Sequence, residues 1–217
     1  MASQQHPYYP QTLQLPGYVP GSLSQAYIVG VYAAASIIVV SFVWFFSKKY
    51  SYLSRVERML MCWWVFTGLT HMILEGYFVF TPDFYKKSQP IYLAEVWKEY
   101  SKGDSRYAAR DPTIVGVEGI TAVVEGPASL LAAYAIASKK PYQHTLQLAV
   151  SLGQLYGDLI YFATVFLQDK EFAAPGFLYF WFYFIFMNGI WIVIPAIIGV
   201  RSWRKITEIV DGKRKKL

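Results

Sequence analysis

The stretch "HMILEGYFVF" places His71 and Glu75 four positions apart inside a run otherwise apolar enough to cross a bilayer. Residues four apart on a helix lie one above the other on a shared face. The carboxylate can therefore hold and orient the imidazole, and the pair can share a proton that neither would carry alone in a low dielectric. An ionised group at membrane depth is expensive, so such residues mark functional sites by default. The plainer reading is a polar pair that staples two helices together.

Three further strings carry groups of the same kind. "GVEGITAVVEGPASL" sets Glu118, Thr121 and Glu125 on one helical face, beside Gly119, Gly126 and Pro127. The small residues are read as packing. Two buried glutamates so close cannot both be cheaply ionised, so one is expected to be protonated or paired. Glu125 either alters the cavity or faces a neighbouring helix. "GQLYGDLIYF" pairs Gln154 with Asp158 at four residues, with Tyr156 and Tyr161 nearby. Interhelical hydrogen bonding is the expected role, and Asp158 can equally support a site. "LYFWFYFIFMNGIW" is mostly an interfacial aromatic belt, but Asn188 and Trp191 share one face well inside it, and an indole ring can stabilise a cation.

These groups need helices to hold them. The chain has 217 residues, of which 55% are apolar and only 16% charged, against about a quarter charged in an ordinary soluble domain. A bilayer crossing needs roughly 20 predominantly apolar residues. Five stretches qualify: 26–46, 60–81, 113–137, 145–167 and 178–200. The expected architecture is an all-α membrane protein, one five-helix transmembrane domain over 26–200, with a polar tail at 1–25 and a basic tail at 201–217. The connection from 82 to 112 is unusually long. The tail lacks the basic n-region of a cleaved signal, so the first helix is expected to be an uncleaved anchor. The single cysteine, Cys62, lies inside a helix, so no internal disulfide is expected.

The formal charge of +6 is unevenly spread. Loops one and three and the C-terminal tail hold 13 of the Lys and Arg residues, against 7 on the other side. The positive-inside rule then places the C-terminus in the cytosol and the N-terminus across the membrane. Six of those 7 lie in the second loop among acidic residues, as in a structured segment. The ending "KRKKL" sets Lys213 and Lys215 as in a dilysine retrieval signal for the endoplasmic reticulum; a basic tail held by anionic lipid reads equally well.

No Gly-rich phosphate loop, HExxH motif or nucleophile elbow accompanies these helices, and His6 of the three histidines is in the tail. A hydrolase nucleophile, a nucleotide site and a nucleic-acid partner are therefore not expected. Acid–base chemistry on an apolar, membrane-resident molecule fits, with no cofactor and no metal.

The strings "HMILEGYFVF", "EVWKEYSKGDSRY", "VEGITAVVEGP", "LGQLYGDLIYF" and "LYFWFYFIFMNGIW", in that order, resemble the emopamil-binding protein family, the sterol Δ8–Δ7 isomerases, and its plant members in particular. The resemblance runs from "HPYYPQTLQLPGYVP" to the fifth helix. It implies a five-helix bundle of the endoplasmic reticulum membrane with a sterol cavity open to the bilayer, and a reaction moving a ring double bond from C8=C9 to C7=C8. On that reading His71, oriented by Glu75, transfers a proton and Glu118 faces the carbocation, with donor and acceptor left open. Trp191 supplies a π face, while Asn188 and Thr121 hold the carboxylate. The resemblance also marks "KGDSRY", making Asp104, Arg106 and Tyr107 candidates for substrate contact, a lid or support. Expected partners are a Δ8-sterol, amphiphilic amines and the bilayer, with homodimers or association with other sterol-synthesis enzymes as further options.

The main rival is a non-catalytic sterol- or amine-binding protein of the same helical core; the joint presence of His71, Glu75, Glu118, Asn188 and Trp191 favours the enzyme. A proton-coupled transporter is disfavoured, because five helices give no even inverted repeat.

Overall fold

The computed structural model describes residues 6–168 and 172–214. Every regular element among the described residues is helical. Helix α1 (Gln25–Phe46) starts where the Ser24 hydroxyl accepts from the Tyr27 N–H. Helix α2 opens on a capping box between Ser54 and Glu57, which satisfies N–H groups that the first turn leaves free. It runs through Arg55–Leu69, a π turn at Thr70–Glu75 and Gly76–Phe80. The long connection is itself folded, into α3 (Tyr92–Tyr100) and α4 (Arg106–Ala109). Helix α5 is capped by Asp111 with proline at its first position, and comprises Pro112–Ile120, a π turn at Thr121–Glu125 and Gly126–Ala137. Helix α6 is Gln143–Gln168, and α7 joins a π-helical Leu178–Phe186 to Met187–Arg214.

The connections sort to two ends of the bundle. At one end Lys139 Nζ meets Glu57 Oε1 at 2.5 Å and the Tyr52 hydroxyl donates to the Ala137 carbonyl. At the other, Tyr8 donates to the Lys98 carbonyl at 3.1 Å, and the backbone N–H groups of Ser105 and Ala174 reach the Phe172 and Lys102 carbonyls at 3.0 and 2.8 Å. Successive long helices therefore run in alternating directions. Helix α2 packs along α1 and α5, and α6 along α7. At the α2–α5 contact, a Cβ added to Gly68 would lie 3.0 Å from the Gly126 carbonyl oxygen. The small residues there let the two backbones touch.

Among the described residues, four helical stretches are long and apolar enough to cross a membrane: Gln25–Lys49, Pro112–Ala137, Gln143–Gln168 and Leu178–Gly212. The fifth expected span, 60–81, is helical but stands outside that set. The polar residues Thr67, Thr70, His71 and Glu75 dilute its apolar character. Two tails also differ from expectation. Residues 6–20 fold over the long connection, burying His6, Tyr8, Leu15 and Tyr18. Helix α7 continues past Val200 to Arg214, because nothing in 201–212 breaks a helix except an isolated Gly212. Lys170 and Lys215 lie outside the described residues, as does the side chain of Lys213.

Candidate active site

A cavity of about 520 Å³ lies between α1, α2, α5, α6 and α7, with α3 and Tyr107 of α4 closing one end. Its wall is largely apolar, and the polar groups converge on the side formed by α2, α5 and α6. The π turns of α2 and α5 pack against each other there, and the π segment of α7 ends two residues before Asn188. A π turn widens a helix locally and leaves some carbonyls without their usual partner, which is why such turns gather at sites.

His71 is buried, with Nδ1 2.6 and 2.7 Å from the two Glu75 oxygens. A carboxylate at that position fixes a proton on Nδ1. The opposite nitrogen, Nε2, lies 3.1 Å from the Thr67 hydroxyl and 3.0 Å from the Gln154 amide nitrogen. A neutral ring accepts there; a protonated ring donates from both sides. Glu75 also accepts from the Thr121 hydroxyl, whose oxygen is 2.9 Å from the Glu118 carbonyl. Glu75 and Glu118 line the same cavity, and the Tyr107 hydroxyl donates to Glu118. Polar contacts thus run from Thr67 through His71 and Glu75 to Thr121 at the Glu118 carbonyl, with Tyr107 holding the Glu118 carboxyl group.

Trp191 covers the imidazole, the ring centroids 5.2 Å apart at 37°, and itself rests on Trp63 and Phe66. Its indole therefore faces the volume next to the proton-bearing groups, as an electron-rich wall should.

Of the nine candidate residues, His71, Glu75, Tyr107, Glu118, Thr121, Asn188 and Trp191 line this cavity. Asp104 and Arg106 do not, so direct substrate contact by these two gives way to a supporting position. Arg106 forks onto Asp104 (Nη2 to Oδ2 2.6 Å), reaches Thr164 at 2.8 Å and the Tyr161 carbonyl at 3.1 Å, and Tyr161 donates to Asp104 at 2.6 Å. The pair clamps the connection to α6. Asn188 also differs from expectation: it holds no carboxylate. Its amide donates to the Phe184 carbonyl at 2.7 Å and lies 3.2 Å from the Tyr100 hydroxyl. A carbonyl of the neighbouring π segment lies closer than any carboxylate, so Asn188 orders tyrosines, and Thr121 alone of the two holds an acid.

Glu125 leaves the face of Glu118 because the intervening π turn offsets the register. It is buried off the cavity against α6, where a Cβ on Gly153 would fall 2.2 Å from its Oε1. Gln154 does make the expected interhelical contact, and its partners are His71 and Thr67. Tyr100 escaped sequence reasoning, since nothing in "EVWKEYSKG" marks one aromatic of a folded connection as facing a cavity.

The family profile EXPERA (EXPanded EBP superfamily) matches residues 92–202. A probable 3-beta-hydroxysteroid-Delta(8),Delta(7)-isomerase of Oryza sativa subsp. japonica is 58% identical over 97% of this chain and 96% of its own. One of Arabidopsis thaliana is 56% identical over 93% and 89%. A protoglabretal synthase of Ailanthus altissima is 45% identical over 97% and 98%. The chain belongs to the EXPERA family. It is an all-helical membrane protein.

Proposed function

We infer that this chain is a 3β-hydroxysteroid Δ8–Δ7 isomerase, transposing the ring double bond of a Δ8-sterol within the membrane. The observation that carries the mechanism is the His71–Glu75 pair, tied through Thr121 to the turn that bears Glu118, on the wall of an apolar cavity and under the Trp191 ring. The cavity walls keep water away, and the polar groups are already bonded in place before substrate enters.

A proton added to C9 from one of these groups leaves a tertiary cation at C8. Loss of the C7 proton to another group then forms C7=C8. No atom is gained or lost overall, so no oxidant, reductant or metal is required. Each turnover moves one proton out of the chain and one back into it at a different place. Thr121, bonded to Glu75 beside the Glu118 carbonyl, and Tyr107, bonded to the Glu118 carboxyl group, keep the two acids in register on one wall, so that proton has a short way back. Trp191 offers its π face to the cation. An ammonium group in the same place would be held alike, so amphiphilic amines are expected to compete with sterol.

The alternating directions of α1, α2, α5, α6 and α7 support five crossings, with α2 tolerated as a span because its polar face turns inward. Charge distribution supports a lumenal N-terminus and a cytosolic C-terminus.

The test is expression in yeast lacking its own Δ8–Δ7 isomerase, with membranes assayed in heavy water. Δ7-sterol carrying one deuterium is expected from the wild type and not from folded His71→Ala or Glu118→Gln. Persistence of Δ8-sterol alongside tight amine binding would leave a non-catalytic sterol-binding protein.

A further inference from the structure

One carboxylate on the cavity wall has neither a place in the proton chain nor a hydrogen-bond donor of its own among the described residues. Asp158 of α6 is 9% exposed and lines the cavity. Its Oδ2 is buried without a hydrogen-bond partner, and among the described residues no donor reaches either of its oxygens. One turn away on the same face, Gln154 is 4% exposed, and its Oε1 is equally unpartnered while its nitrogen is committed to His71 and Thr67. The other cavity carboxylates are satisfied: Glu75 by His71 and Thr121, Glu118 by Tyr107, and Glu99 by Gln25 and Lys102. A buried acceptor without a donor costs about 1–3 kcal/mol. This wall therefore carries acceptor capacity that the protein itself does not fill.

We propose that Asp158, with the Gln154 carbonyl beside it, receives the 3β-hydroxyl of the sterol. The proposal rests on the isomerase reading and supplies what that reading lacks, a group that accepts the hydroxyl's proton inside an apolar cavity. A buried hydroxyl needs such a partner as much as the orphan acceptor needs a donor. The placement also satisfies the ligand's geometry. C3 lies in the ring fused to the one bearing C8 and C9, so its hydroxyl must dock close to the proton-transfer groups without blocking them. Gln154 bonds His71 through one end of its amide and leaves the other free, joining the hydroxyl subsite to the imidazole. Ring A then sits against α6, and ring B lies between His71 and Glu118.

The test measures equilibrium binding to the full chain in lipid nanodiscs of two unreactive ligands, a saturated 3β-hydroxy sterol and its 3-deoxy counterpart. Wild type is expected to prefer the hydroxylated ligand by about ten- to a hundredfold. In Asp158→Leu the ratio falls to near unity. A preference that survives in Asp158→Leu overturns the assignment. Infrared difference spectra provide a second route should that variant not fold. A carboxyl band perturbed by the hydroxylated ligand alone is expected in the wild type and lost in Asp158→Asn, and its persistence in Asp158→Asn is equally fatal. Neither ligand can isomerise, so the ratio is independent of turnover. Turnover of Δ8-sterol with an unchanged ratio removes only the hydroxyl subsite. Absence of turnover in the wild type removes the isomerase reading and leaves the ratio to decide the subsite.

Discussion

Asp104 and Asp158 are both buried aspartates, one on the connection that covers the bundle and one on the helix beneath it, yet their surroundings are opposite. Asp104 accepts from Arg106 through two nitrogens and from Tyr161, and Arg106 stacks over the Tyr161 ring at 4.5 Å. Asp158, three residues before Tyr161 on α6, has no donor among the described residues. A saturated carboxylate holds chain segments together; one left open on a cavity wall awaits something that is not protein. The same contrast separates the two regions as wholes. The cap made by residues 6–20 and the connection closes its hydrogen bonds internally, whereas the cavity keeps acceptors and an indole face in reserve.

Breaking each region should therefore hurt in a different way. The largest effect belongs to the cavity: His71→Ala or Glu118→Gln is expected to lower turnover of Δ8-sterol by about 10²–10⁴, and Glu118→Gln, which leaves the Tyr107 hydroxyl an acceptor, is expected to keep thermal stability in detergent close to wild type. The next belongs to the cap. Arg106→Leu leaves Asp104 buried and unpaired, so a loss of about 3–5 kcal/mol is expected from unfolding measurements. Should Arg106→Leu instead abolish turnover with stability unchanged, the clamp would have to be redrawn as part of the site.

A smaller effect tests the boundary between the regions. Gly153→Ala puts a methyl group 2.2 Å from Glu125 Oε1, for a cost of about 1–3 kcal/mol. Shortening the acid in Gly153→Ala/Glu125→Ala should recover most of that loss, and a double-mutant cycle reads the coupling directly. The smallest is at the far end of the bundle. Lys139→Ala removes a half-exposed ion pair to Glu57, expected to cost about 0.2–1 kcal/mol and to fade with added salt.

Much of this site was legible before any coordinates, because local spacing carries across a helix. His71 and Glu75 had to meet, and Glu118 and Thr121 had to share a face. What helical periodicity cannot reveal is a π turn, which offsets the face without any change in residue type. Glu125 was for that reason placed with Glu118 in sequence and lies against Gly153 in the fold. Asn188 and Trp191 share a face as expected, but the partners of Asn188 depend on where Tyr100 and the π segment of α7 fall.

Composition and patterning alone decided that the chain is helical and belongs in a bilayer, since continuous apolar stretches of that length suit a spanning helix, which satisfies its backbone internally, and exceed the length of a barrel strand. The residue strings decided the family. Tertiary structure alone decided which acids share a wall, that Asp104 and Arg106 lie behind that wall instead of on it, and that Asp158 faces the cavity without a partner. Those are contacts between segments tens of residues apart, and they depend on helix rotation and close approach, which no local periodicity encodes.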